Sequence, residues 1–157
     1  MVATRFAVAI HILMLLASNL LDGPATSLRL ARSVNTNPVV VRRITGLLAR
    51  AGLVRVRRGP GGAKLARPPA DISLGDVWQA VNPGGCRPLL PMHGPNTACA
   101  VGCSVHAVLG DAFAAAEAAM QASLSCTTLA SLVGGIRAAA GARAAESMAA
   151  DLAAGAA

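Results

Sequence analysis

The sequence predicts a mainly α-helical protein: a winged helix-turn-helix domain with a small two-stranded β wing, followed by a long dimerisation helix. Three observations carry this prediction. Apolar residues recur at helical spacing through the first fifty residues, an Asn-Thr-Asn-Pro turn at 35–38 precedes the third helical segment, and an alternating apolar and basic stretch at 53–57 follows it. The chain of 157 residues is long enough for one such domain with an appendage.

The first three helices are predicted from apolar spacing and capping residues. Helical spacing covers 4–20, and an Asp-Gly-Pro break then separates this helix from a second, short one capped by Thr26 or Ser27. Asn37 is a good N-cap for a third helix over 38–51. Proline follows this asparagine at the first helical position, where its missing N–H costs nothing.

A basic hairpin and further helices follow. Residues 53–57 alternate apolar and basic side chains, and a glycine-rich turn returns the chain as a second strand at 63–66, which completes a wing. Apolar spacing then predicts a helix that ends at Val81 with Ser73 as its cap, and a long helix over about 100–122.

Composition divides the chain into four segments. Residues 1–81 form the predicted winged helix-turn-helix domain, and 82–98 form a loop whose length makes it a candidate sensor. Residues 99–133 form the dimerisation helix and a last short helix. Residues 134–157 are dominated by alanine, which buries little apolar area, so this tail is expected to be frayed or disordered.

Charge is distributed unevenly along the chain. Residues 1–70 carry 11 Arg or Lys against one acid, which gives +10, and residues 71–157 carry three Arg against six acids, which gives −3; the two sum to +7. A basic half joined to a mildly acidic half is expected of a nucleic-acid binder with a separate assembly or sensing region. A genome rich in GC would explain the scarcity of lysine but not this asymmetry.

The apolar stretch at 6–21 is the one candidate for a membrane or export segment. It is shorter than the roughly 20 apolar residues of a spanning helix, and His11 and Asn19 interrupt it. We therefore expect a cytoplasmic protein without membrane contact, whose four cysteines do not form a structural disulfide framework. The sequence also shows no phosphate loop, paired carboxylates or Ser-His-acid set, so an enzyme is not expected.

A series of short motifs runs through residues 1–133 in a fixed order. The motifs are Thr4-Arg5-Phe6-Ala7-Val8, Ser33-Val34-Asn35-Thr36-Asn37-Pro38-Val39-Val40-Val41-Arg42-Arg43, Leu47-Leu48, Ala51-Gly52-Leu53-Val54, Arg58-Gly59-Pro60-Gly61-Gly62, Leu65-Ala66-Arg67-Pro68 and Ile72-Ser73-Leu74. Each is weak alone, but their order and spacing resemble the Rrf-two (Rrf2) family of bacterial winged-helix regulators, of the IscR, NsrR and CymR type. The resemblance implies a homodimer, joined through the long helix, that binds an imperfect palindrome near a promoter and usually represses.

The docking geometry of a helix-turn-helix predicts which side chains reach double-stranded DNA. The N-terminal part of the third helix enters the major groove, and the wing approaches the adjacent minor groove or phosphates. The predicted contacts are Asn35, Thr36, Asn37, Val39, Val40, Arg42 and Arg43 at the turn and third helix, Arg57, Arg58 and Gly61 at the wing, and Arg5, Arg29 and Ser33 on phosphates. The structural alternative is that Asn37 serves only as a cap and that single arginines lie on a solvated face.

Cysteines near the start of the long helix are the candidate sensor. Family members that hold an iron–sulfur cluster place three cysteines in this region, and here Cys86, Cys99 and Cys103, with His106, would take that role. Their separations of 12 and 3 intervening residues depart from the family pattern. The segment 93–102 looks more like the branch of the family that holds no cluster, so no cofactor is assigned.

Several interpretations of the signal and of the function stay open. The cysteines fit an iron–sulfur cluster, a thiol or small-molecule sensor, a zinc site with histidine, or no sensing role. For the whole chain, the leading hypothesis is a homodimeric repressor that binds a palindromic operator and responds to a redox or small-molecule signal. The alternatives are a cluster-containing sensor repressor and a winged-helix module that docks protein.

Overall fold

A computed structural model describes residues 2–18, 21, 23–57, 61–83 and 90–154, with side chains described between 4 and 142. The helices of the described residues are α1 (Val2–Ser18), α2 (Ser27–Val34), α3 (Pro38–Arg50), α4 (Leu74–Val81), α5 (Val105–Ser125) and α6 (Leu129–Ala154). Strands β1 (Val54–Arg57) and β2 (Gly62–Leu65) form an antiparallel hairpin, and a 3₁₀ turn spans Pro69–Asp71. The predicted winged helix-turn-helix order is confirmed.

One hydrophobic core joins the winged domain to the start of α6. The fully buried side chains with the largest volumes come from nearly every element of the domain: Ile12, Leu13, Leu30, Val41, Leu48, Leu53, Ile72, Val77, Val81 and Leu129. Helix α1 lies in the middle of this packing, against α2, α3, α4 and α6. Because Leu129 packs into the same core, the first turn of α6 is fixed on the winged domain.

The boundaries of the domain's helices follow the predicted capping residues. The Thr26 hydroxyl accepts a hydrogen bond from Arg29 N at the start of α2, and Ser73 forms a reciprocal capping box with Asp76 at the start of α4. Gly52 follows α3 with φ of 69°. Local side-chain chemistry therefore determines where α2 and α4 begin, and a left-handed glycine follows the end of α3.

The two C-terminal helices differ from the prediction in their bounds. Helix α5 begins at Val105 rather than near 100, because the chain first forms a tight turn in which Cys99 N donates to Asn96 O at 3.2 Å. The last helix was predicted to end at 133, but it continues to Ala154. Alanine has the highest helix propensity, so the backbone can stay helical without burying large side chains.

Helix α5 presents unpartnered apolar surface in the single chain. None of its residues is buried, and it packs chiefly on α4. Val108 is 71% exposed, and Val101, just before the helix, is 73% exposed. The single chain therefore leaves both of these valines in contact with water.

No helix in the described part of the chain is long and apolar enough to cross a membrane.

Helices α4 and α5 approach each other closely at Gly75. A Cβ built on Gly75 would lie against Ser125 Oγ and 3.2 Å from Ser125 Cα. Gly75→Ala is therefore expected to lower the free energy of unfolding by about 1–2 kcal/mol, the cost of overpacking. Chemical denaturation measures it, with Gly134→Ala, which meets no atom within 4 Å, as the control that should not destabilise. A second substitution, Ser125→Gly, should recover part of the loss; no recovery would contradict the packing argument.

Candidate nucleic-acid interface

The turn before α3 is shaped by two asparagines. Asn35 takes a left-handed conformation, with φ of 54° and ψ of 55°, where it ends α2. Asn37 Oδ1 accepts a hydrogen bond from Val39 N at 2.8 Å and caps α3. The structural role of Asn37 is thus present, and its side-chain amide nitrogen still lies at the exposed helix N-terminus beside Thr36. Such a terminus favours a phosphate.

Helix α3 separates its residues cleanly between core and solvent. Val41, Ile44 and Leu48 are buried, as their helical spacing predicts. Val39 and Val40, by contrast, are 60% and 41% exposed. These two valines form a small apolar patch on the exposed face of α3, and a thymine methyl is the apolar group that a DNA major groove offers.

Arg42 and Arg43 are exposed on the same helix and line different grooves. Arg42 borders a cavity of about 400 Å³ between α3, the start of α2 and the wing, which we call the wing groove. Arg43 borders a cavity of about 340 Å³ between α3 and the start of α1, which we call the α1 groove. The two arginines therefore extend the exposed face of α3 toward the neighbouring elements on both sides.

The wing groove brings together residues that are distant in the sequence. Arg57 of β1 lines it together with Arg42 of α3. Thr26 and Ser27, at the N-terminus of α2, and Val56 also line it. The sequence prediction did not include these last three residues among the candidate contacts. The helix-capping signal at 26–27 could have identified the first two, because a capped helix N-terminus is a ready phosphate site.

Val56 lies where strand alternation does not place it. The alternating pattern predicts that Val54 and Val56 share an inward face, but Val54 is 3% exposed and Val56 is 53% exposed. Its cross-strand partner Ala63 is 5% exposed, so the hairpin stays packed at this register, and Val56 instead faces the open wing groove that it lines. On the outer face, Arg55 stands directly opposite Lys64 in the register. Two like charges in a cross-strand pair are unfavourable unless an anion lies between them.

Arg5 lies in the α1 groove, beside Thr36 and Arg43. Its Nη1 atom donates to the Val81 carbonyl oxygen at 3.0 Å, and the side chain is half-buried. A guanidinium has five N–H donors, so this bond leaves others for a phosphate. The predicted phosphate contact at Arg5 remains sterically open, but the residue also ties α1 to the end of α4.

The remaining predicted DNA contacts are more scattered. Arg29 is half-buried, and its Nη1 lies 2.7 Å from the position that a Cβ would take on Gly23. This approach places its guanidinium over the turn before α2. Ser33 is exposed near the end of α2, and Gly61 is half-buried at the start of the returning strand. Arg58 lies outside the described residues.

The candidate sensor residues lie at the start of α5, away from the grooves of α3. Cys99 and Cys103 are exposed and one helical turn apart, with Cys103 N donating to Cys99 O at 2.9 Å. His106 Nε2 lies 2.9 Å from His93 O, so its ring is tied to the preceding loop. Cys86 lies outside the described residues.

These donors do not fit a metal centre by themselves. Among the residues that the structure describes, no three His, Cys, Asp or Glu side chains are placed to hold a metal ion. Iron–sulfur clusters are held by four ligands, usually cysteines, and the turn at 99–103 supplies two thiols. Neither the cluster nor the zinc interpretation gains support from the described donors.

Cys99 has the chemistry of a reactive thiol. Hydrogen bonds from the backbone N–H of Gly102, and then of Val101, hold the pKa of Cys99 below its ordinary value. The sulfur is thus more often a thiolate near neutral pH, because thiolate is the form that these N–H groups stabilise. Cys103 Sγ instead donates to Ala100 O at 3.1 Å.

Alkylation rates test this difference. Iodoacetamide is expected to modify Cys99 several-fold faster than Cys103 or Cys126 at neutral pH, since only the thiolate attacks. The rate at Cys99 should also reach half its maximum at a lower pH than the rate of a cysteine in a short unstructured peptide. Mass spectrometry of peptides from the full chain measures each site, and Cys99→Ser should remove the fast phase. A pH profile for Cys99 that coincides with that of the free peptide would contradict it.

Comparisons with known proteins identify the family of the chain. Residues 2–135 match the family model described as "Rrf2: Iron-dependent Transcriptional regulator". Over 130 residues the chain is 42% identical to YwnA of Bacillus subtilis (strain 168), a predicted HTH-type transcriptional regulator, covering 82% of this chain and 94% of that protein.

Solved structures show the same fold. A predicted DNA-binding protein is 38% identical, with a TM-score of 0.66 over 82% of this chain and 97% of its own. IscR of T. potens and CymR of Staphylococcus aureus are each 22% identical, with TM-scores of 0.62 and 0.60. The IscR alignment covers 84% of this chain and 85% of that one, and the CymR alignment covers 83% and 95%. At this identity the likeness shows the fold alone.

Proposed function

The chain belongs to the Rrf2 family of transcriptional regulators, and from this premise we propose that it is a homodimeric repressor that binds a palindromic operator in the cytoplasm. The family and the relatives named above are regulators of transcription rather than enzymes. The specific proposals are the two-fold symmetry of the site, repression, and the response to a redox or small-molecule signal.

One observation supports the proposed DNA-binding surface most strongly: the exposed face of α3 is continuous with two grooves that arginines line. Val39 and Val40 form its apolar centre, Arg42 and Arg57 both line the wing groove, and Arg43 and Arg5 both line the α1 groove. Guanidinium groups suit both phosphates and guanine edges. A surface with apolar residues in the middle and arginines on both sides fits a major groove between two phosphate backbones.

The proposed dimer is supported by α5. None of its 21 residues is buried, and Val101 before it and Val108 within it are both more than 70% exposed. The same helix of a second copy can cover this surface in a two-fold symmetric dimer. Two winged domains related by a two-fold axis then read two half-sites in opposite orientation. Repression follows when such a dimer occupies a promoter.

Selection from a random pool of duplex DNA tests the function and identifies the operator in the same experiment. The full chain is expected to enrich an inverted repeat whose half-site centres lie about one helical turn, or a multiple of it, apart. Sedimentation at micromolar concentration should show a dimer. Enrichment of a single, non-repeated half-site or a monomer in sedimentation would contradict the proposed symmetry.

A protein-docking module is the alternative that salt dependence distinguishes. If DNA is the partner, the logarithm of the binding constant should fall steeply and linearly with the logarithm of salt concentration, because phosphate contacts release counterions. A failure to enrich any duplex sequence, together with a flat salt response for weak DNA binding, would instead favour a protein partner.

The proposed redox signal is supported by the reactive Cys99 thiol beside Cys103. Oxidation is expected to change the affinity for the selected operator, and Cys99→Ser or Cys103→Ser should abolish that change. Cys126, at the end of α5, provides the matched control, because Cys126→Ser should leave the response intact. Equal operator binding with and without oxidant would contradict a thiol switch.

A further inference from the structure

A cavity between α1 and α6 has the size and lining of a small-ligand site. Its volume is about 580 Å³, and its aliphatic wall includes Ile10 and Met14 from α1 and Val133 and Ile136 from α6. Pockets for small organic ligands fall in the range of roughly 300–1,000 Å³ and are mostly apolar, with a few polar groups that orient the ligand. Its lining includes no residue of α3 and no cysteine, so neither the proposed DNA surface nor the proposed thiol switch uses it.

Two groups with N–H donors lie in the cavity lining, one from each helix. His11 of α1 and Arg137 of α6 are both exposed there. The ion pair found among the described residues joins Arg67 and Asp76, so neither His11 nor Arg137 is paired with an acid in that part of the chain. A guanidinium binds a carboxylate through two parallel hydrogen bonds, and an imidazole can donate a third.

The apolar part of the lining is aliphatic throughout. The side chains of Phe6 and Trp78 pack on each other elsewhere, edge to face with ring centroids 5.2 Å apart, and neither lines the cavity. An alkyl chain therefore matches the wall better than a planar ring, which would gain from an aromatic neighbour. We propose that the cavity binds an aliphatic monocarboxylate of medium chain length, with its carboxylate on Arg137 and His11.

The cavity is connected to the proposed DNA surface by α1. This helix of 17 residues lines the cavity with Ile10 and Met14 and reaches the α1 groove with Arg5. Arg5 lies beside Arg43 of α3 and also bonds to Val81 O, so a shift of α1 would move groups at the proposed interface. The use of the ligand as a signal for the repressor rests on the proposed function; the binding site itself does not.

Titration calorimetry on the full chain tests the site with octanoate, 1-octanol and octylammonium, which share the alkyl chain and differ in the head group. Octanoate is expected to bind one per chain, at least about tenfold more tightly than the alcohol, because its carboxylate forms charge-assisted bonds. Octylammonium should bind more weakly than both, since its charge opposes that of Arg137. Equal binding of octanoate and octanol would overturn the proposal.

Variants identify the residues. Arg137→Gln should reduce octanoate binding about tenfold, to the level of octanol, without changing octanol binding. Arg50→Gln, on an exposed position at the end of α3, is the control that should change neither. Ile136 is 44% exposed, so Ile136→Asp should keep the fold and weaken both octanoate and octanol. Unchanged octanoate binding in Arg137→Gln would overturn the assignment.

Two parallel measurements separate this proposal from the proposed function. Operator binding of the unliganded chain is measured with the selected duplex, and octanoate should change that affinity at least severalfold. If the chain binds its operator but not octanoate, the proposed ligand site is wrong and the proposed DNA-binding function is kept. If it binds octanoate but no operator, the proposed DNA-binding function is wrong and the ligand site is kept. If octanoate binds only when dilution dissociates the dimer, a second copy covers the cavity, and the ligand proposal is overturned.

Discussion

Replacing Arg42 and Arg43 together by alanine is expected to weaken binding to a selected operator duplex by about 100-fold, a loss of about 3 kcal/mol. Both guanidiniums are exposed on α3, and they diverge: one lines the wing groove and the other lines the α1 groove. Neither side chain is part of the core, so the double variant should unfold at the same denaturant concentration as the parent chain. Fluorescence anisotropy with a labelled duplex measures the affinity.

The control for this pair lies on the same helix. Arg50 is exposed at the C-terminal end of α3, away from the end that carries the capped turn, and Arg50→Ala should cost less than about 1 kcal/mol of binding. Comparison of the operator with a scrambled duplex then assigns the contacts. If the arginines read bases, the ratio of specific to non-specific affinity falls; if they touch phosphates, both affinities fall and the salt slope drops by about one per arginine. Unchanged operator affinity would show that neither Arg42 nor Arg43 contacts the operator.

The fold was predictable where local chemistry decides the structure. Asn37 marks the start of α3 and Ser73 marks the start of α4 through side-chain hydrogen bonds that span three residues or fewer. Pro38 follows Asn37 at the first helical position, where no N–H donor is needed. The bounds of the last two helices were less predictable. A turn at Asn96 delays α5, and an alanine-rich backbone prolongs α6, so these ends depend on competition between small effects rather than on one cap.

The candidate interface was predictable from helical period but not from the hairpin pattern. Burial of Val41 and Ile44 leaves Arg42 and Arg43 outside, which the spacing alone indicates. The exposure of Val56, in contrast, depends on the wing groove that this residue lines between elements distant in the sequence, which the strand pattern does not encode. The bond from Arg5 to Val81 O joins residues 76 positions apart, and no local pattern could reveal it.

Gly62→Ala is expected to have the second large effect, a loss of about 3 kcal/mol in the free energy of unfolding together with weaker operator binding. Gly62 has φ of 63°, in the left-handed region, and opens β2 of the wing. A Cβ at this position would lie 2.7 Å from the carbonyl carbon of Ala25 and 2.8 Å from its nitrogen and oxygen. Next to it, Ala63 N donates to Ala25 O at 3.0 Å, which fixes the wing against the turn before α2.

A substitution at Gly52 allows the two causes of this loss, backbone strain and collision with Ala25, to be measured separately. The φ of Gly52, 69°, is nearly the same as that of Gly62, but a Cβ there would meet no atom within 4 Å. Gly52→Ala should therefore cost only the backbone strain, about 1 kcal/mol, and leave operator affinity unchanged. The difference between the variants, about 2 kcal/mol in urea denaturation at equal protein concentration, measures the collision with the Ala25 backbone. Since the obstructing atoms are backbone, Ala25→Gly should not rescue Gly62→Ala. Equal losses of unfolding free energy for the two glycine variants would show that the wing does not depend on the close approach of Gly62 to the Ala25 backbone. The packing that forms one side of the wing groove would then be contradicted.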